Sequence, residues 1–486
     1  MTDKLSQTGT VLVLGASGFI GSALVPALVE LGYSVRAASR QSASLNRPLG
    51  PTVLPVICDL LEPASLGPAL AGVDQVYYLV HGMTEGRGYA ERDLRAASNL
   101  AAAAAAAGVQ HIIYLGSLIV PGSRSQHFQS RLATGRALGA SSVPVTEVRA
   151  PVVIGAGSAP FEVFRDVVNH LPGMLVPRQL DHKLAPLALA DLIYYLTELA
   201  QPGVLVGQVL ELQGPESVSY AGMMSRYAAF IGQDFRPVPL PRMPIWLIQA
   251  LIPAFTSAPR TIIQALLGGL NHSISASDSR LQDARPRPLQ SLEQAFQALL
   301  DKEERQVDSL DWYQGNMRYR QQQVRNGYYG QRIQTRQVAS ASPEAVWQQL
   351  TQLGGDQGYF FFDWIWRVRG WIDALLGGPG MVRRRDKVDE LRRDDRIDTW
   401  IILDAQTERR LLLEFRMRSP GAGCLEFVLR PDSDRSVTEL TINAYFHPQG
   451  LAGRLYWLVL KPVHLLLFHG MSRKILRRAS KDRRPD

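Results

Sequence analysis

Cysteine is almost missing from this chain: Cys58 and Cys424 are its two, far apart and without metal-like spacing. That scarcity argues against a disulfide framework and suits a reducing compartment, so a cytoplasmic location is expected. The opening MTDKLSQTGT lacks the basic start and apolar stretch of a secretory signal. Long hydrophobic runs are missing too. The longest, Leu455 to Met471, is interrupted by Lys461, Pro462, His464 and His469, and it is shorter than the roughly 20 residues that cross a bilayer. No membrane span is expected. The nine histidines, at 81, 111, 127, 170, 182, 272, 447, 464 and 469, show no His-Glu-x-x-His or comparable spacing, and no metal site is expected. With neither a Gly-x-Ser-x-Gly elbow nor a P-loop lysine, a metal enzyme or serine hydrolase is disfavoured.

What is present is an ordinary globular composition, 46% hydrophobic and 20% charged, in 486 residues. That length exceeds what one core usually serves, so two or more domains are expected. The formal net charge of +8 comes in good part from the tail, where Arg473, Lys474, Arg477, Arg478, Lys481, Arg483 and Arg484 cluster. Such a run is either solvated or touches an anionic surface. No nucleic-acid motif accompanies it, so nucleic acid is not an expected partner, while peripheral membrane contact through the tail stays open.

From Thr10 to about Arg149, apolar runs of strand length alternate with helical stretches. The runs are 10–14, 34–38, 53–58, 75–80, 111–115 and 145–149. Helix candidates lie between them at 19–31, closed by Gly32, and at 89–107, whose seven alanines end at Gly108. Alanine is the best helix former and glycine the commonest stop. Six strands with helical crossovers predict an α/β, doubly wound parallel Rossmann sheet. A looser stretch of about 150–310, with helices at 219–231 and 292–302, reads as a substrate-side lobe of the same 1–310 domain.

Residues 311–330 read as a linker or connecting helix. After them the pattern changes. Ser342-Pro343-Glu344 is a helix start with a capping hydroxyl and a first-turn proline. Strand-like segments at 396–403, 409–418, 424–430 and 437–446 are joined by short turn-rich connections, which predicts an antiparallel meander. Leu411, Leu413, Phe415 and Met417 alternate onto one face, and Leu440, Ile442, Ala444 and Phe446 onto another. A helix over about 453–479 closes an α+β domain of 331–479, and 480–486 form the basic tail.

Residues 15–21, GASGFIG, follow the first strand and open the first helix. Such a turn aims unpaired backbone N–H groups, at the positive end of a helix, toward a pyrophosphate. Gly15 permits the turn, Gly18 the approach of phosphate and Gly21 the packing of helix on strand, with Ala16, Ser17, Phe19 and Ile20 between them. The spacing is Gly-x-x-Gly-x-x-Gly, one residue away from the generic dinucleotide fingerprint, but strand, loop and helix stand in the required order. At the end of the second strand, Ser39 and Arg40 offer a hydroxyl and a fixed cation to a 2′-phosphate, where a carboxylate would select NAD. NADP(H) is therefore favoured over NAD, unless Arg40 is simply a solvated loop residue. Asp59, before Leu60, either accepts from the adenine amino group or makes a turn.

These motifs, with ASR at 38–40, CDL at 58–60, YYLVHGM at 77–83 and SRLATGRALGASSVPVTEVRAPVVIGAGS at 130–158, resemble the atypical or extended short-chain dehydrogenase/reductase family. The likeness covers about the first 310 residues and is strongest to NmrA-like and NAD-dependent epimerase-like members. It implies that Leu60, Val80 and His81 touch the dinucleotide and that the segment of Pro151 and Val153 passes the nicotinamide. It also matches Ser117 to the serine that orients substrate. The family's Tyr-x-x-x-Lys pair is absent. In its place stands His127-x-x-x-Arg131, keeping the spacing and replacing both residues. Arg131 stays charged and can hold ribose or phosphate. His127 is a candidate proton donor, or equally a surface histidine. Tyr114 and Tyr89 are the other phenols to consider, neither with the right spacing to a lysine.

SPEAVWQQL at 342–350, DRIDTWIIL at 395–403, RLLLEF at 410–415 and AYFHPQGLAGRLYWLVLKPVHLLLFHGM at 444–471 resemble the helix-grip fold of START-like, polyketide-cyclase-like proteins. That resemblance implies a lipid-like or other apolar ligand. Together the two halves resemble a known fusion of uncharacterised function. The aromatic stretch 359–366, with Trp371, caps such a pocket or packs in a core, and Arg383 to Arg385 form an anion clamp or a solvated loop. Three functions remain open: an NADP-dependent oxidoreductase acting on an apolar carbonyl or alcohol, a non-catalytic NADP(H)-sensing or ligand-binding protein, and, less compatible with the missing Tyr and Lys, a nucleotide-sugar epimerase.

Overall fold

The structure, a computed structural model, describes residues 8–40, 52–82, 88–120, 122–123, 125–170, 175–233, 237–305, 329–378, 380, 391–432 and 437–481. The expected linker lies outside these except for Tyr329 and Gly330, as do Arg383 to Arg385 and most of the basic tail. The chain divides into two compact units, Met1–Ile252 with Ala258–Lys302, and Pro253–Ser257 with Glu303–Asp486.

The first unit begins β1 (Thr8–Leu14), α1 (Gly21–Glu30), β2 (Tyr33–Ser39), β3 (Val53–Ile57), α2 (Leu66–Leu70), β4 (Gln75–Tyr78), α3 (Tyr89–Ala106), β5 (His111–Ser117), α4 (Gln126–Gly139) and β6 (Val145–Ala150). The lobe adds β7 (Val153–Ile154), α5 (Ala159–His170), β8 (Leu175–Pro177), β9 (Lys183–Leu184), β10 (Leu187–Ala188), α6 (Leu189–Glu198) and β11 (Val209–Glu211). It continues through β12 (Val218–Ser219), α7 (Tyr220–Phe230), β13 (Val238–Leu240), α8 (Ile245–Leu251), α9 (Arg260–Gly269), α10 (Arg280–Ala284) and α11 (Leu292–Arg305).

Seven strands form one parallel sheet in the order β11-β6-β5-β4-β1-β2-β3. Six stand where the apolar runs predict them. The seventh, β11, was not among those expected, because three residues are too few to show a period. Alternate side chains serve opposite faces. Val11, Val13, Tyr77 and Ile113 pack with Leu24 and Leu28 of α1 and Leu192 and Leu196 of α6. Leu12, Leu14, Val76 and Ile112 pack with Leu66 of α2, Ala97, Leu100 and Ala104 of α3, and Leu138 of α4. The alanines of α3 lose almost no side-chain entropy and let that helix lie close on the sheet. Strand order reverses between β1 and β4, which opens the crevice where doubly wound sheets bind ligands.

The second unit contains β14 (Gln331–Ala339), α12 (Pro343–Leu350), α13 (Asp363–Leu375), β15 (Arg396–Ile397), β16 (Trp400–Gln406), β17 (Arg410–Phe415), β18 (Gly421–Asp432), β19 (Val437–Pro448) and α14 (Gly450–Lys481). Ser342 caps α12, its hydroxyl accepting from the Ala345 N–H at 3.1 Å. The sheet is antiparallel in the order β14-β19-β18-β17-β16-β15. The expected single strand 396–403 is instead a tight hairpin pairing Arg396 with Ile401 and Ile397 with Trp400. Asp398 takes φ 54° at its turn, a conformation that a short polar side chain tolerates better than most.

Across the sheet lies α14, whose Trp457, Leu467, Phe468, Met471, Ile475 and Leu476 join a core with Leu413, Phe427, Leu440, Ile442 and Phe446. The helix is 32 residues long and runs on through Lys461 and Pro462, past the interruptions that shorten its apolar tract in the sequence. By length and composition it could cross a membrane, although its inner side belongs to this core.

Candidate active site

All the expected dinucleotide contacts of the first unit fall along the C-terminal edge of the parallel sheet. The loop after β1 occupies the middle. Gly15 has φ 84°, and its carbonyl accepts from the Gly18 N–H at 2.9 Å, curling the loop into the start of α1. A Cβ on Gly21 would stand 2.7 Å from the Cα of Ala16 and closer still to the Gly15 carbonyl oxygen, so glycine is required there. Ser17 and Gly18 are exposed, leaving backbone at the positive end of α1 accessible to an anion. On one side of the loop come the ends of β2, with Ser39 and the exposed Arg40, and of β3, with Asp59 and the buried Leu60. Asp59 makes a turn, its Oδ1 accepting from the Leu61 N–H at 2.9 Å.

On the other side, the ends of β4, β5 and β6 and the start of α4 surround a pocket of about 340 Å³. Phe19, Ile20, His81, Ser117, His127, Arg131, Pro151 and Val153 line it, and the lobe covers it with Tyr220, Ile262, Leu266 and Ile274. The structure thus gathers eight of the expected site residues around one cavity. The others, Gly15 to Gly18, Gly21, Ser39, Arg40, Asp59, Leu60 and Val80, line the edge beyond it.

Within the pocket, His81 and His127 meet each other, 46 positions apart in sequence: His81 Nε2 lies 3.2 Å from His127 Nδ1. Behind them, His81 Nδ1 lies 2.9 Å from Asp93 Oδ2, and both side chains are 9% exposed. Asp93 also accepts from the Gly82 N–H at 2.9 Å and from the Ser130 hydroxyl at 3.3 Å. A carboxylate only accepts, so the proton of His81 sits on Nδ1; its Nε2 then accepts from His127 Nδ1–H. His127 Nε2 is the nitrogen left for a substrate. Burial, with the Arg131 guanidinium nearby, holds His81 at about 4 and His127 well below the usual histidine range, so both are neutral near pH 7. Sequence reasoning missed Asp93. The available signal was a carboxylate four residues after Tyr89, on the face of α3 that also buries Tyr89, Ala96, Ala97 and Leu100.

Arg131 is held through its backbone, since the Tyr114 hydroxyl donates to its carbonyl at 3.0 Å. Its Nε is buried without a hydrogen-bond partner among the described residues. That orphaned donor, in a pocket also lined by Phe19 and Ile20 of the glycine loop, is of the kind that fits a phosphate or ribose hydroxyl. Tyr114 itself is fully buried, burial raises its phenol, and its proton is already donated, which removes it as an acid. Tyr89 stacks edge-on against His81 with ring centroids 5.9 Å apart. Among the described residues the Ser117 hydroxyl makes only a long contact, 3.4 Å to the Leu118 carbonyl, and remains able to bind a substrate oxygen.

The second unit encloses its own cavity of about 350 Å³, bounded by Trp366, Trp400, Phe415, Leu425, Phe446, Trp457, His464 and Phe468. Its lining is almost wholly apolar. Trp366 Nε1 and His464 Nδ1 are buried there without hydrogen-bond partners among the described residues. The aromatic stretch is divided in role: Tyr359, Phe360 and Trp366 are core, whereas Phe362 and Trp364 are exposed.

Residues 7–170 match the NmrA-like family, and residues 328–471 match a family described as a protein of unknown function, DUF2867. A 3-beta-hydroxysteroid dehydrogenase of Mycolicibacterium neoaurum is 34% identical over 122 residues, 23% of this chain and 33% of that protein. A dihydroflavonol 4-reductase of Zea mays is 39% identical over 82 residues, 15% of this chain and 23% of that protein. The chain therefore spans about a third or less of the curated relatives it matches. Among solved structures, a nucleoside-diphosphate-sugar epimerase of Staphylococcus aureus and a triphenylmethane reductase of Citrobacter sp. each superpose with a TM-score of 0.50. Their identities are 15% and 20%, and each covers 60% of this chain and 99% of its own. At that identity they share the fold of the first unit.

Proposed function

We propose that the first unit binds NADP(H) along the C-terminal edge of its sheet and uses the Asp93–His81–His127 chain to move a proton during oxidation or reduction of an apolar alcohol or carbonyl. The observation that carries this reading is the chain itself, which runs from a buried carboxylate through two histidines into a mostly apolar pocket. The dinucleotide, when bound, supplies or accepts the hydride. The glycine loop would take its diphosphate, Ser39 and Arg40 a 2′-phosphate, Asp59 Oδ2 the adenine amino group, and Arg131 Nε a ribose hydroxyl or phosphate.

Ser117 orients the substrate oxygen. His127 Nε2 takes the hydroxyl proton as an alcohol is oxidised, and the resulting imidazolium is steadied through His81 by Asp93. In the reducing direction Nε2 first takes a proton from solvent and then gives it to the oxygen that accepts the hydride's electrons. Because burial disfavours the charged ring, the proton is held weakly and is readily given up to a developing alkoxide. The relatives with related sequence stretches are named for a 3-beta-hydroxysteroid and for dihydroflavonol, which supports a ring-borne oxygen as the reacting group. The cavity of the second unit would carry an apolar ligand with one polar group for Trp366 Nε1 and His464 Nδ1.

The test is NADPH oxidation, or NADP reduction, by the purified full chain with a panel of apolar ketones, quinones and secondary alcohols. Turnover that His127→Asn lowers about a hundredfold or more, with NADPH binding kept, is the expected result. Turnover unaffected by that substitution would overturn the role of the histidine chain. A second reading follows from His127 and Arg131 standing where the family places Tyr and Lys: NADP(H) occupancy tunes a conformation or contact without chemistry. Tight NADPH binding with no turnover across the panel would favour it.

A further inference from the structure

We infer that the second unit docks on an anionic lipid bilayer, lying on its surface through the outward faces of α13 and α14, with the mouth of the apolar cavity turned to the lipid. Docking stands apart from the oxidoreductase reading, because it involves only the second unit. The first observation is an inverted amphipathicity. Along α13 the residues at spacings of three and four that point to solvent include Trp364, Val368, Trp371, Ile372 and Leu375, with Arg367 the one charged side chain exposed among them, and Trp364 is 60% and Trp371 67% exposed. The polar Asp373 is instead buried, accepting from the Gly380 N–H at 2.8 Å.

On α14 the outward face carries Leu451, Leu455, Leu458, Val459, Leu465 and Leu466, all exposed, with the exposed Lys461 and Pro462 between Val459 and Leu465. It extends for roughly 22 Å at 1.5 Å per residue. A mostly apolar face of this extent, exposed among the described residues, marks a site of contact.

Charge identifies the contact. The same stripe of α14 continues beyond Leu466 as His469, Arg473 and Arg477. A groove of about 600 Å³ beside it is lined by Arg473, Lys474, Arg477, Arg478 and Lys481. The helix contains no acidic residue from Gly450 to Lys481. Indole and aliphatic side chains at the depth of the acyl boundary, followed in line by a basic stretch at headgroup depth, are what an interfacial element presents to an anionic leaflet.

Two further observations agree. Trp364, Val368 and Ile372 both line the cavity and are exposed, so the cavity opens along this surface. Pro462 deprives the Leu458 carbonyl of its helical donor on the outward side, which costs little at a hydrated interface and several kcal/mol within hydrocarbon. With the inner side of α14 committed to the core, the helix lies on the membrane and does not cross it.

The experiment is flotation of the full chain with phosphatidylcholine vesicles, with and without phosphatidylglycerol. Association with the anionic vesicles, weakened by salt and accompanied by a blue shift of tryptophan emission, is expected. Trp371→Glu with Leu375→Glu should abolish the emission shift and cut binding at least tenfold. Arg473→Glu with Arg477→Glu should cut it roughly fivefold per residue. All four positions are exposed, so unchanged melting temperatures serve as the folding control. No association at low salt, or equal binding by both double variants, overturns the inference. So does an apolar-face variant that turns a dimer into a monomer without affecting flotation, since the face would then belong to a second copy. Resistance of the natural membrane fraction to alkaline carbonate would overturn it in favour of a spanning helix.

Discussion

Gly82 shows how a single missing side chain shapes the site. A Cβ there would lie 2.8 Å from Asp93 Oδ1, the oxygen that accepts from the Gly82 N–H, so glycine admits the carboxylate that orients His81. Asp93→Asn would leave an acceptor at His81 while removing the charge that steadies the imidazolium. Turnover is expected to fall about tenfold or more, with the NADPH Kd little changed and the pH profile displaced, readable by steady-state kinetics beside a fluorescence titration. Arg40 acts at the other end of the crevice. Arg40→Ala is expected to weaken NADPH binding about tenfold or more, by loss of a charge-assisted contact, while NADH binding changes little. Equal losses for both nucleotides would remove Arg40 from the 2′-phosphate. Of these residues, His127 and Arg131 were legible because they keep a family spacing. Asp93 was not, and neither was the His81–His127 contact, which exists only once β4 and α4 are brought together.

Among elements, the strand, glycine loop and α1 form the part most fully written in sequence, since each glycine answers a local steric demand. Gly21→Ala would force Cβ against Ala16 Cα and the Gly15 carbonyl. A cost of about 1–3 kcal/mol is expected, seen as a lower melting temperature together with lost NADPH binding. β11 escaped notice for lack of length, and the β15–β16 hairpin because Asp398 reverses the chain without glycine or proline. The two apolar helices of the second unit were hardest to orient. Periodicity shows that α13 has two faces, but which one the core takes depends on Trp366 and Gly370 packing inward, a tertiary fact. For α14, apolar residues surround the first half of the helix, so burial against the sheet, and not hydrophobicity, separates inside from outside.

For the whole molecule, the buried histidines tie stability to pH. His81, His111 and His464 are each pushed down to about 4 by burial, and His127 is likewise held well below the usual histidine range. The unfolded chain binds protons at its histidines near pH 6.5 and the folded chain does not, so stability present above that value declines as pH falls toward 4. A single group such as His81 accounts for about 3 kcal/mol when the whole interval is crossed. Melting temperatures should therefore drop progressively from pH 7 to pH 5, and His464→Gln, which cannot be protonated, should flatten the part of that drop belonging to the second unit. An unchanged slope would mean that His464 gains a compensating partner in acid.

Pro462 carries one more consequence. It removes a rung from the hydrogen-bond ladder of α14 within its leucine-rich stretch, ahead of the basic C-terminal part, and so places the softest joint of a rod about 48 Å long near its middle. A rod with such a joint can bend to follow a curved leaflet. The full chain should then favour small, strongly curved vesicles over large ones of the same composition, and Pro462→Ala, by stiffening the rod, should erase that preference.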